Sequence, residues 1–247
     1  ELAAGAFPWL QEGDTVRVTR GTYYWDDDGE LRVGAVILGG TPGDTTTRPV
    51  FRDAANNYYG LWLRGGQRTV VRNVVLQNFY EGIDLDGVRN LAVEDVKFLN
   101  TGQSYMYGIY HCGADMDTIR IDRSEFIGNP QYRYGDAVYV SGCSQLAVRV
   151  MLFQDSRIQY MSDALYMYGV DSLVVLRSQI IDNGGYGISM SQEYNETPAL
   201  YMAHSRIERN RYYELDLDYM RRIVIDTSVI RADSGYGLYL SGDYYTT

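Results

Sequence analysis

Basic residues, and lysine in particular, are scarce in this chain. Of 247 residues, 22 are Lys or Arg and 32 are Asp or Glu, which gives a formal net charge of −10. Lys97 is the only lysine, so nearly every cationic side chain is an arginine. This balance disfavours nucleic acid as a partner, because binding phosphates requires clustered Lys and Arg. An acidic surface instead suits solubility and cationic or neutral partners.

Long apolar runs, cysteine and histidine are also scarce. No run of about 18 apolar residues occurs, which predicts that nothing spans a membrane as a helix. Residues 1–10 lack the basic and apolar regions of a signal peptide, so we expect a mature or trimmed N-terminus. With two histidines and two cysteines, a structural zinc site would need ligands from distant parts of the chain. Cys112 and Cys143 either form a disulfide or remain as two buried thiols, and the sequence leaves both possibilities open.

Helical spacing is missing as well, and a short phrase recurs in its place. The phrase consists of a small residue, an aliphatic residue, any residue and a second apolar residue, as in Gly82–Leu85 and Gly187–Met190. Its first aliphatic residue serves as a marker, and the eight markers are Leu61, Ile83, Ile109, Val138, Leu165, Ile188, Leu215 and Leu238. Successive markers are 22 to 29 residues apart. A period of this length is typical of a solenoid.

Each repeat contains three short apolar segments. The marker segment is followed by a second one, such as Leu91–Val93, and then by a third apolar pair, such as Val96 with Phe98. Segments of this length without hairpin turns indicate parallel strands that stack coil upon coil. We therefore predict an all-β fold, a right-handed parallel β-helix of about nine or ten coils with three short strands per coil. We expect one β-helix domain over residues 1–247, with a cap or lead-in at 1–13, coils at 14–242 and a tail, or the start of a following segment, at 243–247.

A column of asparagine or aspartate residues precedes the markers. Its members are Asn56, Asn78, Asn183, Asn210 and Asp233, with Asn100 and Asn129 at the equivalent place before longer loops. Asn and Asp tolerate the left-handed backbone conformation that tight turns between strands require. We expect these residues to be structural and their stacked side chains to bond to each other along the rod.

Two groups of residues resemble those of a known superfamily. Gly13–Val18 followed by Gly21–Tyr23 resembles the entry of the pectate-lyase-like right-handed β-helix proteins. Gly82–Leu85 with Asn90–Val93 looks like their coil repeat, and the asparagine column resembles their asparagine ladder. That superfamily includes polysaccharide lyases, mannuronan epimerases, hydrolases, adhesins and inert surface proteins, so the resemblance implies a fold and not one activity. It also implies that a functional site lies on the outer face of the first strand of each coil.

The outer face of the marker strands carries aromatic and acidic side chains. The residue after each marker points outward if the marker points inward. The predicted carbohydrate-binding residues on this face are Trp62, Tyr110, Tyr139, Tyr166, Tyr168 and Tyr239, because sugar rings stack on exposed aromatic rings. The predicted calcium ligands are Asp84, Asp86, Asp216 and Asp218. The alternative is that tyrosine is simply favourable in strands and packs well against its neighbours.

A catalytic group is a further prediction for this face. Epimerases and some lyases of the resembled superfamily carry a Tyr-Gly-Phe-Asp-Pro-His type of motif, and this chain has two incomplete copies. Tyr80–Asp86 has Asp86 where the histidine is expected, and Tyr107–His111 places its histidine at an inward position. Proton abstraction beside a uronate carboxylate needs a cation, a base and an acid.

The candidates for these three roles are Arg64, Asp84, Asp86 and Tyr107. The alternative is that Asp84 and Asp86 are solvated surface carboxylates that pair with Arg64. The sequence alone does not decide whether the chain is an enzyme.

Three functions therefore remain open. The leading hypothesis is an extracellular or cell-surface module that engages polysaccharide along its Tyr/Asp face, with Ca²⁺ as the one candidate cofactor. The second is a structural surface, sheath or filament subunit that assembles with copies of itself or with other surface proteins through tyrosine-rich faces. The third is a calcium-assisted lyase or epimerase that acts on acidic polysaccharide.

Overall fold

A computed structural model describes residues 10–25, 30–31, 34–41, 43–53, 59–100, 106–112, 116–141, 148–191 and 198–242. Regular structure in these ranges consists of β-strands and one short 3₁₀ helix, Thr45–Thr47. The strands form three sheets, numbered here in the order in which the chain enters them. Sheet 1 contains β1 (Thr15–Val18), β4 (Val36–Gly39), β7 (Thr69–Arg72), β10 (Asn90–Glu94), β13 (Met116–Asp122), β16 (Val148–Gln154), β19 (Val170–Leu176), β22 (Ala199–Ala203) and β25 (Arg222–Asp226).

The other two sheets are built in the same way. Sheet 2 contains β2 (Thr22–Trp25), β5 (Val50–Asp53), β8 (Val75–Gln77), β11 (Lys97–Leu99), β14 (Glu125–Ile127), β17 (Arg157–Gln159), β20 (Gln179–Ile181), β23 (Arg206–Glu208) and β26 (Val229–Arg231). Sheet 3 contains β3 (Glu30–Leu31), β6 (Tyr59–Arg64), β9 (Glu81–Asp86), β12 (Tyr107–Cys112), β15 (Val138–Ser141), β18 (Leu165–Tyr168), β21 (Ile188–Ser191), β24 (Tyr213–Asp218) and β27 (Tyr236–Ser241).

Each strand pairs in parallel with the equivalent strands of the neighbouring coils, and the end strands of each sheet pair on one side only. The chain visits sheets 1, 2 and 3 in turn, so the fold is a right-handed parallel β-solenoid with three strands per coil, as predicted. Each sheet has nine strands within the described residues, and seven of these lie between two neighbours. The solenoid thus has about seven coils that are covered on both sides, fewer than the nine or ten predicted. The first coil contributes a strand of only two residues, β3, and many side chains of the last coil are exposed.

The core runs through the middle of the coils. The markers and the residues two positions later point inward: Ile83 is 0% exposed and Leu85 is 2% exposed. Sheet 2 contributes a row of phenylalanines in which Phe98 stacks on Phe126 with ring centroids 4.3 Å apart. Burying side chains of this size stabilises the fold by about 1.5–3 kcal/mol each. A coil gains this burial only from its neighbours, which explains why the apolar pattern must repeat.

The glycine that precedes several central markers is required by this packing. A Cβ atom on Gly82 would lie 2.9 Å from the ring of Phe98, and one on Gly108 would lie 2.6 Å from the ring of Phe126. Each would also meet a main-chain carbonyl oxygen of the next coil, at 2.7 Å and 2.5 Å respectively. The glycines therefore allow the phenylalanine row to reach the sheet 3 backbone.

The asparagine column is confirmed in part. Asn183 Nδ2 donates a hydrogen bond of 2.8 Å to Asn210 Oδ1 on the next coil, which is the ladder contact expected. Asn78 has the left-handed conformation, with φ 60°. The Asn129 side chain instead accepts a hydrogen bond from the main-chain N–H of Gln131, and Asn56 lies outside the described residues.

A serine ladder, which the sequence analysis missed, follows the turn between sheets 1 and 2. Its members are Ser124, Ser156, Ser178, Ser205 and Ser228. The main-chain N–H of each of the first four donates to the hydroxyl oxygen of the serine on the next coil, at 3.0–3.2 Å. Each of these serines follows a residue in the left-handed conformation, such as Arg177 with φ 48°. The ladder thus satisfies buried N–H groups at a turn that every central coil repeats.

The remaining predictions on the fold concern cysteine, histidine and the membrane. Cys112 is disulfide-bonded, and Cys143, the other cysteine of the chain, lies outside the described residues. His111 points inward as predicted: it is 1% exposed, and its Nδ1 lies 3.2 Å from the carbonyl oxygen of Leu85. Among the described residues, no helix has the length and apolar character needed to cross a membrane.

Candidate functional site on the outer face of sheet 3

The outward column predicted from the sequence exists as a row of paired residues across sheet 3. Register pairs connect its members in the order Trp62, Asp84, Tyr110, Tyr139, Tyr166, Ser189, Asp216 and Tyr239. The side chains before the last coil are half-buried and Tyr239 is exposed. We call this row, together with the tyrosines that pack on it, the tyrosine face.

The centre of the tyrosine face is a stack of three tyrosine rings. Tyr110 and Tyr139 are 5.3 Å apart with an angle of 6° between their planes, and Tyr139 and Tyr166 are 4.9 Å apart with an angle of 4°. Tyr107 packs on the side of the stack, with its ring 5.3 Å from Tyr110 and 5.4 Å from Tyr139. Both faces of Tyr139 are therefore covered by protein, and the stack offers ring edges and hydroxyl groups to a ligand.

Sugar stacking on the rings of this row, as the sequence analysis expected, therefore does not fit Tyr139. Burial, together with nearby carboxylates and tyrosines, raises the pKa of Tyr110 and of Tyr166 above the usual value for tyrosine.

A second tyrosine stack lies nearer the end of the described chain. Tyr186 stacks on Tyr213 with ring centroids 5.6 Å apart, and Tyr213 stacks on Tyr236 at 5.1 Å. These residues stand two positions before their markers, in the same column as Tyr107. Tyr239, a predicted carbohydrate-binding residue, lies 5.5 Å from Tyr213 and so joins this second stack.

The predicted catalytic residues lie at the other end of the tyrosine face. Arg64 Nε is 3.0 Å from Asp86 Oδ2, and the Arg64 guanidinium lies 4.8 Å from the ring centre of Trp62. Arg64 and Asp86 line a shallow open depression together with Gly65 and Gly87. Asp84 stands between Trp62 and Tyr110 in the row.

Tyr107, the fourth predicted catalytic residue, is one coil beyond Asp84. It pairs in register with Glu81, and its ring contacts Tyr80 at 6.0 Å. The structure therefore brings Arg64, Asp84 and Asp86 together on two adjacent strands, while Tyr107 belongs to the tyrosine cluster.

The remaining predicted ligands are dispersed. Tyr168 pairs in register with Ser141 and Ser191, in a second outward column. Burial and the charge of Asp218 raise the pKa of Asp216, and Asp218 accepts a hydrogen bond from the Ser241 hydroxyl. Ca²⁺ takes six to eight oxygen ligands, whereas no group of three or more carboxylate, histidine or cysteine side chains that could hold a metal occurs in the described part of the chain. Calcium binding at these aspartates stays a prediction.

Two further carboxylates on this face were missed by the sequence analysis. Asp136 and Asp163 stand two positions before their markers, in the column of Tyr107 and Tyr186. Asp136 is only 5% exposed, and its Oδ1 accepts a hydrogen bond of 3.2 Å from the main-chain N–H of Asp163. Asp163 Oδ1 in turn accepts a hydrogen bond of 2.8 Å from the N–H of Tyr186.

The pKa of both carboxyl groups is raised. Burial and the charge of Asp163 raise the pKa of Asp136 to about 7, and burial raises that of Asp163. The signal that could have revealed the pair is the repeated phrase Asp-Ala-aliphatic-Tyr, at Asp136–Tyr139 and Asp163–Tyr166.

Comparison with known proteins adds no relative. No family model, no curated protein and no solved structure matches this chain. The similarity to the pectate-lyase-like superfamily therefore stays a resemblance of motifs, and what is established is the parallel β-solenoid, with the tyrosine face along one of its three sheets.

Proposed function

We propose that this chain is a polysaccharide-binding module that holds a glycan chain along the tyrosine face. The observation that carries the proposal is the row Tyr110, Tyr139 and Tyr166, whose rings repeat at 4.9–5.3 Å along the rod. Hydroxyl groups that repeat at the coil spacing suit a polymer that itself presents hydroxyl groups at regular intervals. Asp84 and Asp216 extend the row in the two directions and provide acceptors for sugar hydroxyls.

The charges of the face favour a neutral polysaccharide. The chain has a net charge of −10, and the outward row carries two half-buried aspartates, Asp84 and Asp216. A polyanion would meet these carboxylates, whereas a neutral glycan can donate hydrogen bonds to them. Arg64 is a cation on this face, and it already pairs with Asp86.

An extracellular or cell-surface location belongs to the same proposal. Polysaccharides of the length that a rod can bind occur mainly outside the membrane. The disulfide at Cys112 supports this location, because such bonds persist in oxidising compartments.

Binding assays with paired tyrosine variants test the proposal. A panel of neutral and acidic polysaccharides is titrated into the protein by calorimetry, with and without Ca²⁺. The variant with Tyr110→Phe, Tyr139→Phe and Tyr166→Phe keeps the ring stack and removes only the hydroxyls, so we expect it to lose most of its affinity for the glycan that binds. The matched control is Tyr201→Phe, because Tyr201 is 42% exposed on sheet 1 and far from the row in the coil.

The outcomes separate clearly. Loss of binding in the triple variant with retention in Tyr201→Phe supports hydroxyl recognition by the tyrosine face. Binding that survives both the triple phenylalanine variant and the corresponding triple alanine variant would place the glycan elsewhere, and the absence of binding to the whole panel would refute the proposal. A rise in ultraviolet absorbance from an unsaturated product would instead establish a lyase, and Arg64, Asp84 and Asp86 would then be the first residues to vary.

Assembly into a surface layer or filament is the second candidate function. The observation in its favour is the exposure of tyrosine side chains along the rod, where Tyr201 is 42%, Tyr212 is 50% and Tyr219 is 49% exposed. Tyrosine is enriched at interfaces between proteins. Light scattering over a range of protein concentrations tests it: growth in mass that Tyr212→Lys and Tyr219→Lys abolish would support assembly, and a constant monomer mass would exclude it.

A further inference from the structure

The aspartates Asp136 and Asp163 occupy two successive coils at the position where the neighbouring coils carry tyrosine. The coil before them has Tyr107 at this position and the coil after them has Tyr186. Each aspartate accepts the main-chain N–H of the equivalent residue on the next coil, from Asp163 at 3.2 Å and from Tyr186 at 2.8 Å. The two carboxyl groups are therefore held one coil apart, at a strand spacing of about 4.8 Å.

The Asp136 carboxyl group has little access to water. Asp136 is 5% exposed, whereas Asp163 is half-buried. Within the described residues, the hydrogen bond from Asp163 is the one contact to the Asp136 carboxyl, and it engages only Oδ1. The second oxygen of Asp136 thus receives no hydrogen bond from the described protein, and in a side chain that is only 5% exposed a proton is favoured over a negative charge.

The titratable groups around the pair are tyrosines. Tyr107 on β12 and Tyr186 just before β21 flank the pair in its column, and Tyr166 lies on β18. The charges of Asp136 and Asp163 both act on the Tyr166 phenol, and that of Asp163 acts on Tyr186.

No cation in the described part of the chain compensates the pair. The arginine closest in sequence, Arg133, is instead directed at the carbonyl oxygen of Asn183, at 3.5 Å, and at the ring of Tyr160. The charge on either carboxylate is therefore opposed by the other carboxylate and balanced by no ion pair.

We propose that Asp136 and Asp163 form a proton-binding pair that regulates the tyrosine face, which is ordered while the pair holds a proton and loosens when both carboxyl groups are ionised. This inference rests on the proposed polysaccharide binding for its biological consequence, but not for its physical basis. Two carboxylates one coil apart repel each other, and the buried carboxylate of Asp136 can be hydrated only if side chains around it move. The ring on which both charges act is that of Tyr166, one of the three stacked rings of the binding row.

The direction of the effect follows from the raised pKa of Asp136. A carboxyl group that titrates at about 7 in the folded chain and near 3.8 in the unfolded chain binds its proton more tightly when folded. The protonated carboxyl group therefore stabilises the folded chain fully below the pKa of the unfolded chain. This stabilisation is lost as the pH rises through about 7. We expect the tyrosine face to bind polysaccharide in acidic to neutral conditions and to release it in alkaline ones.

The first experiment needs no glycan. Near-ultraviolet circular dichroism, which reports the packing of tyrosine rings, is recorded between about pH 5 and about pH 8.5, well below the titration of free tyrosine. We expect a transition centred near pH 7 in the unaltered protein, and none in Asp136→Asn, which keeps the acceptor for the Asp163 N–H and cannot ionise. The matched control, Asp171→Asn, changes a more exposed carboxylate on sheet 1 that lies 3.8 Å from Arg221, and the transition should persist in it.

The second experiment measures the affinity for the polysaccharide that binds at acidic pH. If only the protonated pair supports binding, the affinity falls about tenfold for each pH unit above the pKa of Asp136 in the unaltered protein, and it stays constant in Asp136→Asn. A transition in the dichroism without binding to any glycan would refute the proposed function and leave the proton-binding pair intact.

If both the dichroism and the affinity stay constant over this pH range, the pair does not regulate the tyrosine face. The proposal that the chain binds polysaccharide would be unaffected by that result. If Asp136→Asn does not fold, carboxyl carbon resonances of the unaltered protein decide the matter. A carboxyl group at position 136 that titrates near 4 would then refute the inference.

Discussion

Substitution of Gly108 by alanine is expected to destabilise the solenoid by an amount that the structure allows to be worked out. The added Cβ would lie 2.5 Å from the carbonyl oxygen of Ala137 and 2.6 Å and 2.7 Å from two carbons of the Phe126 ring. Neither neighbour can retreat easily. The carbonyl belongs to the sheet 3 backbone, and the Phe126 ring is fully buried and stacked on Phe98 at 4.3 Å.

The expected magnitude combines two opposing effects. Overpacking a buried site costs about 1–3 kcal/mol. Replacing glycine by alanine also restricts the unfolded chain, which stabilises the fold by about 0.4–1 kcal/mol. The net loss for Gly108→Ala is therefore about 1–2 kcal/mol. Gly237 is the matched control, because it stands at the same place before its marker but has no atom within 4 Å of an added Cβ, so Gly237→Ala should leave the free energy of unfolding unchanged or raise it slightly.

Urea unfolding followed by far-ultraviolet circular dichroism measures both variants. A double variant that combines Gly108→Ala with Phe126→Leu separates the two contacts, because the smaller side chain relieves the clash with the ring and leaves the clash with the Ala137 carbonyl. A coupling energy between the two substitutions shows that the ring is the main obstacle. Equal stability of Gly108→Ala and Gly237→Ala would refute the packing argument.

Three further predictions concern stability. Ser178→Ala removes the acceptor for the Ser156 N–H and should cost about 1–3 kcal/mol in urea unfolding, because that N–H is buried; a loss below about 0.3 kcal/mol would contradict the serine ladder. Reducing the disulfide at Cys112 should lower the stability by about 2–4 kcal/mol, and Cys112→Ser, the control, should be insensitive to the reductant. Arg209 lies 2.7 Å from Asp182 and lowers the pKa of that carboxyl group. The ion pair therefore stabilises the fold at pH values above the ordinary pKa of aspartate, and this stabilisation is lost as the pH falls. Asp182→Asn should cost about 1 kcal/mol at neutral pH and nothing in acid, and an equal loss at both pH values would contradict this.

The sequence was sufficient for the fold because the solenoid repeats one simple constraint. Inward markers such as Ile83 and Ile109 must align coil after coil, so their spacing predicts the register that sheet 3 has. The outward row follows from the same alternation, which is why Asp84 and Tyr110 were predicted as neighbours. The ends were less predictable, since the number of coils that are covered on both sides depends on how completely the first and last strands form.

Other features depend on three-dimensional packing that a single chain pattern does not encode. The serines of the ladder look like ordinary turn residues, because their partner is a main-chain N–H on a different coil. The orientation of Tyr139 was equally hidden: whether a tyrosine row offers ring faces or edges depends on whether the rings stack on each other. Asp136 and Asp163 escaped notice because they precede the marker by two positions, where strand alternation alone would suggest an inward side chain.

The stability that is lost when Asp136 ionises argues that the needs of the fold do not explain an aspartate at this position. A pKa that moves from 3.8 to about 7 corresponds to about 4 kcal/mol of lost stability once the carboxyl group is ionised. The same position on neighbouring coils holds Tyr107 and Tyr186, whose rings pack there without a buried charge. Tyrosine at positions 136 and 163 would thus avoid the buried charge and would join the two tyrosine stacks into one column. The two carboxylates interrupt that stack midway along the binding row, which is where a change of protonation would alter the contact surface most.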